Sequence, residues 1–229
     1  MSDQIVLITG AGGGLGTHVT RAFLESGATV AGSSKRIQDA DFPHPRFAAL
    51  LADLTDGDSA RRLAGSVMER FQRIDVLVHL MGGFAGGQPI PDTGEATWDL
   101  MMNLNLRSAF HILRAVIPHM QQAGHGRIIA VGSRAAVEPQ PGIAAYSASK
   151  AALVSLVRTA ALENKDAGIT ANVILPGTID TEANRKADPS ADRSTWISPD
   201  HLAALIRYLA SDEAGAITGA AIPVYGRVA

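Results

Sequence analysis

The fold is decided by residues 5–16, IVLITGAGGGLG, near the start of a 229-residue chain. The apolar run Ile5–Ile8 predicts a strand buried on both faces, and the spacing that follows predicts a helix over Leu15–Glu25. A glycine-rich turn between a first strand and a first helix lets the backbone approach a pyrophosphate, and the helix N-terminus adds free N–H groups. The stretch therefore predicts a dinucleotide-binding turn. Its residues are Gly10, Gly12, Gly13, Gly14, Leu15 and Gly16.

Strand and helix patterns continue to alternate along the rest of the chain. Further strands are predicted at Thr29–Gly32, Phe47–Leu51, Val76–Leu80, Arg127–Val131, Thr170–Leu175 and Ala220–Val224. Further helices are predicted at Ser59–Phe71, Ala96–Met120, Ala145–Glu163 and Pro199–Leu209. Strand–helix repetition implies a parallel sheet covered by helices on both faces. We therefore predict an α/β fold with seven parallel strands, formed as a single domain by residues 1–229.

Two irregular stretches follow strands of this sheet. Residues 82–94 come after the fourth strand and are rich in Gly and Pro, and residues 176–197 come after the sixth. Ligands bind at the carboxyl ends of the strands in this architecture. We expect both stretches to be substrate loops, although ordinary surface loops would have a similar composition.

Composition narrows the class of protein. A hydrophobic content of 46% and a net charge of −2 indicate a compact chain and give no reason to expect nucleic acid or an acidic membrane as a partner. The chain has no cysteine, and its seven histidines show no ligand spacing, so no metal site is predicted. The start of the chain lacks a secretion pattern, and no apolar run reaches the roughly 18 residues of a membrane span. We expect a cytoplasmic protein.

The end of the second strand indicates which dinucleotide is preferred. Ser33, Ser34, Lys35 and Arg36 lie there, and no acidic residue follows until Asp39. An acidic residue at this place favours NAD, whereas hydroxyl groups and cations suit the extra phosphate of NADP. We predict that NADP(H) is preferred and that NAD(H) is possible; a solvated basic loop is the alternative explanation.

Tyr146 and Lys150 form the candidate reacting pair. They are four residues apart at the start of a predicted helix, which puts both on one face. A free tyrosine has a pKa of about 10. Because a neighbouring ammonium favours the phenolate, we expect Lys150 to lower the pKa of Tyr146 enough for it to exchange protons with an alcohol or carbonyl. The pair alone would also be common on a protein surface.

The sequence resembles the short-chain dehydrogenases/reductases essentially from end to end. Their Thr-Gly-x-x-x-Gly-x-Gly pattern fits at Thr9, Gly10, Gly14 and Gly16. The resemblance implies a Rossmann fold and a catalytic set of Asn105, Ser133, Tyr146 and Lys150. The separation of Ser133 and Tyr146, 146 − 133 = 13 residues, matches the family.

The resemblance also assigns roles to these residues. It implies that Tyr146 is the acid/base, that Ser133 orients the substrate oxygen, that Lys150 binds the nicotinamide ribose, and that Asn105 holds a relay water. It further implies cofactor contacts by Asp53, Leu54, Gly82, Tyr146, Lys150, Pro176, Gly177, Ile179 and Thr181. The chain has His79-Leu80-Met81-Gly82 where the family usually has Asn-Asn-Ala-Gly, and we expect His79 to be a packed, hydrogen-bonded residue.

The sequence indicates the type of reaction more clearly than it indicates the substrate. The expected reaction is hydride transfer between nicotinamide and a small carbonyl or alcohol. Residues 81–87 and the loop after Asp180 are similar to dihydropteridine reductases, so a pterin reductase is an alternative. A 3-oxoacyl thioester reductase is another, with Arg107 and Arg134 as a weak indication of a basic docking surface.

Two further expectations concern the whole chain. A non-catalytic dinucleotide sensor would keep the glycine-rich turn but lose Tyr146 or Lys150, so it is the less favoured hypothesis. The helices Ala96–Met120 and Ala145–Glu163 carry more apolar residues than one buried face needs. Since such helices commonly pair between subunits in the family, a homo-oligomer, a tetramer or a dimer, is expected.

Overall fold

The computed structural model describes residues 3–227, which form one seven-stranded parallel sheet. The predicted domain limits 1–2 and 228–229 lie outside these residues. The strands are β1 (Ile5–Thr9), β2 (Thr29–Ser34), β3 (Phe47–Leu51), β4 (Val76–His79), β5 (Gly126–Val131), β6 (Ile169–Pro176) and β7 (Ala221–Val224). Their order across the sheet is β3-β2-β1-β4-β5-β6-β7. The predicted seven-stranded Rossmann architecture is confirmed.

Residues 3–227 contain seven α-helices, and the longer ones cover the two faces of the sheet. They are α1 (Gly14–Glu25), α2 (Gly57–Phe71), α3 (Glu95–Met101), α4 (Ser108–Ala123), α5 (Ala144–Asn164), α6 (Glu182–Ala187) and α7 (Pro199–Leu209). Alternate strand residues point to opposite faces. Leu7 and Leu77 therefore pack in the core under α2, α4 and α5, whereas Val6 and Val78 pack under α1 and α7.

The predicted helix Ala96–Met120 is not a single α-helix. A π-helical segment, Met102–Arg107, joins α3 to α4, so the helical run is widened at Asn105. The side chain of Asn105 bonds to the backbone of Gly83 in another segment, and Ser108 Oγ donates to the carbonyl of Leu104. A side chain that bonds to a carbonyl of its own helix, as Ser108 does, competes with the regular helix hydrogen bonds, and π-turns are often found at functional sites.

The last strand lies at an edge of the sheet. β7 pairs only with β6. The amide of Val173 donates to the carbonyl of Ala220, and the amide of Gly177 donates to the carbonyl of Val224. Ala220 and Val224 therefore turn their backbone groups towards β6.

None of the helices within residues 3–227 combines the length and the apolar character needed to cross a membrane.

Candidate active site

The glycine-rich turn after β1 is closed on one side and open on the other. Gly10 has φ +74°, a left-handed conformation, and a Cβ there would lie 3.1 Å from the backbone of Leu80. A Cβ on Gly16 would collide with the carbonyl oxygen of Gly10. Gly12 has no atom within 4 Å of the same position. The turn therefore leaves an open backbone surface beside the N-terminus of α1, a suitable cradle for a phosphate.

The other predicted residues of this turn form the start of α1 and its contact with the core. Gly13 is the N-cap of α1, and Gly14 is its first residue. Leu15 points into the core. The amides of Gly10 and Ala11 both donate to the carbonyl of Ser33, which ties the turn to the end of β2.

The end of β2 carries a buried hydroxyl with no partner. Ser33 Oγ makes no hydrogen bond with any of residues 3–227, although the residue is 2% exposed. A buried hydroxyl is normally satisfied, so this one fits a polar ligand. Ser34 closes the strand, and exposed Arg36 forms no ion pair within the same range. A hydroxyl without a partner and an exposed guanidinium at this place fit an anionic group of a dinucleotide.

Lys35 is held by the acidic residue that follows β3. Its Nζ lies 2.7 Å from Oδ2 of Asp53. The hydrogen bonds from Lys35 and from Thr55 lower the pKa of Asp53 to about 2. Leu54 is buried in the core, and its carbonyl oxygen lies 2.9 Å from Nδ1 of His111, so its side chain is not on the open side.

His79 is a packed residue, as predicted. It ends β4, is 2% exposed, and its Nδ1 lies 2.8 Å from Thr9 Oγ1. Burial, together with the charge of Lys150, lowers the pKa of His79 to about 3. The ring is therefore neutral at physiological pH.

Ser133 and Tyr146 come together at the carboxyl end of β5. Ser133 lies two residues beyond the strand, and Tyr146 lies in the first turn of α5. The hydroxyl of Ser133 is close enough to that of Tyr146 to lower its pKa, but burial has the larger effect and raises the pKa of Tyr146.

The expected lowering of the tyrosine pKa by Lys150 is wrong for this structure. Lys150 Nζ donates to the carbonyl oxygen of Val131 at 3.0 Å and lies 5.9 Å from the centroid of the Tyr146 ring. Desolvation therefore dominates at the phenol. The same burial lowers the pKa of Lys150 to about 8.

Gly82 lies beside both Lys150 and Asn105. A Cβ on Gly82 would be 3.2 Å from Lys150 Nζ and 2.8 Å from Asn105 Oδ1. Only glycine fits here without displacing the two side chains. This close approach places the start of loop 82–94 directly beside the lysine.

The side chain of Asn105 holds that loop. Its Oδ1 accepts from the amide of Gly83 at 2.9 Å, and its Nδ2 donates to the carbonyl of Gly83 at 3.1 Å and to Ser149 Oγ at 3.0 Å. The residue is fully buried. The amide is thus engaged by Gly83 and Ser149, and it makes no hydrogen bond to Tyr146 or Lys150.

Two residues of the site were missed by sequence reasoning. Ser149 is fully buried and donates to the carbonyl of Tyr146, so it links α5 to Asn105. Phe84 is 67% exposed, and its ring meets that of Tyr146 edge-on with centroids 5.0 Å apart. No sequence signal identifies Ser149, whereas the position of Phe84 in a predicted substrate loop could have suggested its role.

The loop after β6 reaches back to the glycine-rich turn. Pro176 ends β6, and Gly177 pairs with Val224. Ile179 forms a bridge with Ile197. Thr181 caps α6, and its Cβ lies 2.9 Å from the place a Cβ on Gly14 would occupy. Gly177 and Ile179 therefore stabilise the loop through backbone contacts, and Thr181 lies beside the glycine-rich turn.

Among residues 3–227 no three His, Cys, Asp or Glu side chains come together in a way that could hold an ion.

Comparison with known proteins gives consistent results for sequence and structure. The sequence profile described as short chain dehydrogenase matches residues 4–192. The chain is 31% identical to the 3-oxoacyl-[acyl-carrier-protein] reductase FabG of Thermotoga maritima, over 99% of this chain and 98% of that protein. It is 32% identical to the acetoacetyl-CoA reductase of Allochromatium vinosum, over 97% of each.

A solved structure described as ElxO with NADP bound has the same fold. It matches with a TM-score of 0.92 at 24% identity, over 97% of each chain. The profile and the two relatives each cover most of the chain and agree with one another. The protein therefore belongs to the short-chain dehydrogenase family and is an oxidoreductase.

Proposed function

We propose that this enzyme transfers hydride between NADP(H) and a small carbonyl or alcohol, with Tyr146 as the acid/base. The observation that carries the proposal is that Tyr146 lies beside Ser133 at the carboxyl end of β5, with Lys150 one helical turn further along α5. This edge of a parallel sheet is where ligands bind in doubly wound folds. NAD(H) is the alternative cofactor.

Binding of the dinucleotide is assigned to residues along this edge. The glycine-rich turn from Gly10 to Gly16 would hold the pyrophosphate, and Ser33, Ser34, Lys35 and Arg36 would hold the 2′-phosphate. Asp53 and the backbone of Leu54 would lie at the adenine. Gly82, Tyr146, Lys150 and the loop residues Pro176, Gly177, Ile179 and Thr181 would surround the nicotinamide half.

The chain's own residues act on the substrate oxygen. When bound, the nicotinamide supplies or accepts the hydride. In the reductive direction Ser133 donates a hydrogen bond to the carbonyl oxygen and orients it, and Tyr146 gives its proton to that oxygen. Because burial raises the pKa of Tyr146, the phenol is protonated near neutral pH and is ready to act as the acid. Lys150 holds the nicotinamide ribose.

Loops 82–94 and 176–197 are proposed to enclose the substrate. Phe84 presents an exposed ring beside Tyr146, and Asn105 fixes the loop that carries it. An apolar wall of this kind excludes water from the hydride transfer. Asn105 is thus proposed to position the loop, and its suggested relay water stays a hypothesis.

A 3-oxoacyl thioester is the second candidate substrate. The observation that favours it is the similarity to the 3-oxoacyl-[acyl-carrier-protein] and acetoacetyl-CoA reductases, which covers nearly the whole chain. The expected basic docking surface is weak, because Arg134 forms an ion pair with Glu138. A pterin substrate has less support, since the full set of Asn105, Ser133, Tyr146 and Lys150 suits a ketone.

The proposed function is tested by binding and then by turnover. Fluorescence titration with NADPH and NADH should give tighter NADPH binding, which weakens in Lys35→Asp/Arg36→Ala. Purified enzyme should oxidise NADPH in the presence of a short ketone or acetoacetyl-CoA. Tyr146→Phe should lose at least a thousandfold of kcat and keep its affinity for NADPH. Undiminished turnover in Tyr146→Phe would refute the assignment.

Assembly and location complete the proposal. The exposed apolar side chains of Phe110 on α4 and Leu162 on α5 support a homo-oligomer, a dimer or a tetramer. We place the enzyme in the cytoplasm, where reduced nicotinamide dinucleotides are available; cell fractionation tests this.

A further inference from the structure

The ion pair between Lys35 and Asp53 joins two parts of the dinucleotide site. Lys35 follows β2, where the 2′-phosphate would be bound, and Asp53 follows β3, where the adenine would lie. The distance of 2.7 Å between Nζ and Oδ2 is that of a direct ion pair. Both side chains are about half exposed, so the pair is open to competition from solvent and ligand.

The two partners differ in how firmly they are held. Oδ1 of Asp53 accepts from the amide of Thr55 at 3.0 Å and from its hydroxyl at 2.6 Å, and the amide of Asp53 donates to Ser59 Oγ. Asp53 is thus fixed by its own turn. Lys35 makes no other hydrogen bond or ion pair with residues 3–227, and its long side chain is free to turn.

We propose that Asp53 is a specificity-determining residue, which weakens binding of the phosphorylated dinucleotide by holding Lys35 and so keeps both dinucleotides usable. The inference rests on the proposed function, in which Lys35 binds the 2′-phosphate. To bind Lys35, the 2′-phosphate must draw the ammonium away from Asp53 or share it with Asp53. In either case the ion pair that neutralises the carboxylate of Asp53 is weakened. NADH has no such phosphate and leaves the pair intact.

Loss of the ion pair should change the ratio of the affinities for NADPH and NADH, which is more diagnostic than either affinity alone. A contact of Asp53 with the adenine would be common to NADPH and NADH, so its loss cancels in the ratio Kd(NADH)/Kd(NADPH). The ion pair affects only NADPH. Because exposed pairs are worth up to about 1 kcal/mol, the ratio should rise about three- to fivefold in Asp53→Asn.

Binding is measured by calorimetry on the full-length protein without a substrate. The proteins are wild type, Asp53→Asn, Lys35→Met and the double variant, titrated with NADPH, NADH, adenosine 2′,5′-bisphosphate and 5′-AMP. Asn keeps the oxygen that accepts from Thr55, so the turn is preserved. Asp58→Asn is the matched control, because it removes the same charge nearby and Asp58 is paired with Arg61 instead.

The expected results separate the possible failures. The ratio Kd(NADH)/Kd(NADPH) should rise in Asp53→Asn and stay unchanged in Asp58→Asn. When Lys35 is already Met, replacement of Asp53 should no longer change the ratio. The ratio of the Kd values for 5′-AMP and adenosine 2′,5′-bisphosphate should change in the same way. An unchanged or lower ratio in Asp53→Asn, or a rise that persists without Lys35, overturns the inference alone. A ratio that Lys35→Met does not lower overturns the proposed phosphate site as well.

Discussion

The burial of Lys150 has a consequence for the stability of the fold. The residue is 5% exposed, and its Nζ donates to the neutral carbonyl of Val131. Desolvation lowers its pKa from 10.5 to about 8. The unfolded chain therefore binds the proton more tightly than the folded protein, and the charged form of Lys150 destabilises the fold.

Replacing Lys150 by Met should make the protein more stable near neutral pH. Because the folded-state pKa is depressed, the wild type regains stability as the pH rises from about 8 to 10.5, and it is most penalised below 8. The advantage of Lys150→Met should shrink by about 2 kcal/mol between pH 7 and pH 9.5. Urea unfolding at the two pH values measures this.

Lys165→Met is the control for this measurement. Lys165 is exposed near the end of the same helical run, so its replacement should change stability equally at both pH values. An advantage of Lys150→Met that stays constant with pH would contradict the assigned desolvation.

Some residues of the site could be predicted from the sequence, and others could not. The motifs that contain Thr9, Ser133, Tyr146 and Lys150 have fixed spacings, and a spacing can be recognised in the sequence without the structure. Ser149 and Phe84 act through contacts with Asn105 and Tyr146, which exist only after the chain folds. The raised pKa of Tyr146 was missed for the same reason, because burial is a property of the packed protein.

The π-helical segment Met102–Arg107 is the element that couples a helix to a loop. Asn105 projects from it and bonds to both backbone groups of Gly83, as a neighbouring strand would. The loop that follows Gly83 carries Phe84 onto Tyr146. The widened turn at Asn105 thus determines the position of Phe84, the side chain proposed to shield the substrate from water.

Asn105→Ala should loosen loop 82–94. Removal of three hydrogen bonds would leave the Gly83 amide and carbonyl unpaired, at a cost of about 3 kcal/mol. We expect faster proteolysis within residues 82–94 and at least a tenfold fall in kcat/KM. NADPH affinity should change less, because the hydrogen bonds of Asn105 go to Gly83 and Ser149 and not to the glycine-rich turn.

Asn103→Ala provides the matched control for the same segment. The side chain of Asn103 makes no hydrogen bond with residues 3–227, so cleavage of the loop and kcat/KM should stay close to wild type. Equal protease resistance in all three proteins would show that Asn105 does not hold the loop.

Elements were predicted well where periodicity was strong. The runs that became β1 and β3 are apolar and bounded by turns, and they were placed within one residue. The π-segment was read as continuous helix, because its apolar spacing matches that of its neighbours. The last two residues of β2, Ser33 and Ser34, were left out because they are polar, although backbone pairing with β3 extends through them.

At the scale of the whole molecule, apolar side chains are exposed on the helices of one face. Leu162 on α5 is 72% exposed, and Phe110 on α4 is 45% exposed. The protein should sediment as a dimer or a tetramer, and Phe110→Glu/Leu162→Glu should shift it to the monomer because a buried charge is costly. Sedimentation velocity measures this.

Leu51→Glu is the control for sedimentation, since Leu51 is exposed on β3 at the far edge of the sheet. It should leave the assembly unchanged. A wild-type protein that sediments only as a monomer would contradict the proposed assembly.

The opposite edge of the sheet, formed by β7, affects whether strands of other molecules can add to it. Ala220 and Val224 turn towards β6, so the alternation of the strand turns Pro223 outwards. Proline has no N–H, and the open side of β7 therefore lacks a donor where an incoming strand would need one. Proline at this position therefore disfavours strand addition at this edge, so concentrated enzyme is less prone to grow into extended sheets through β7.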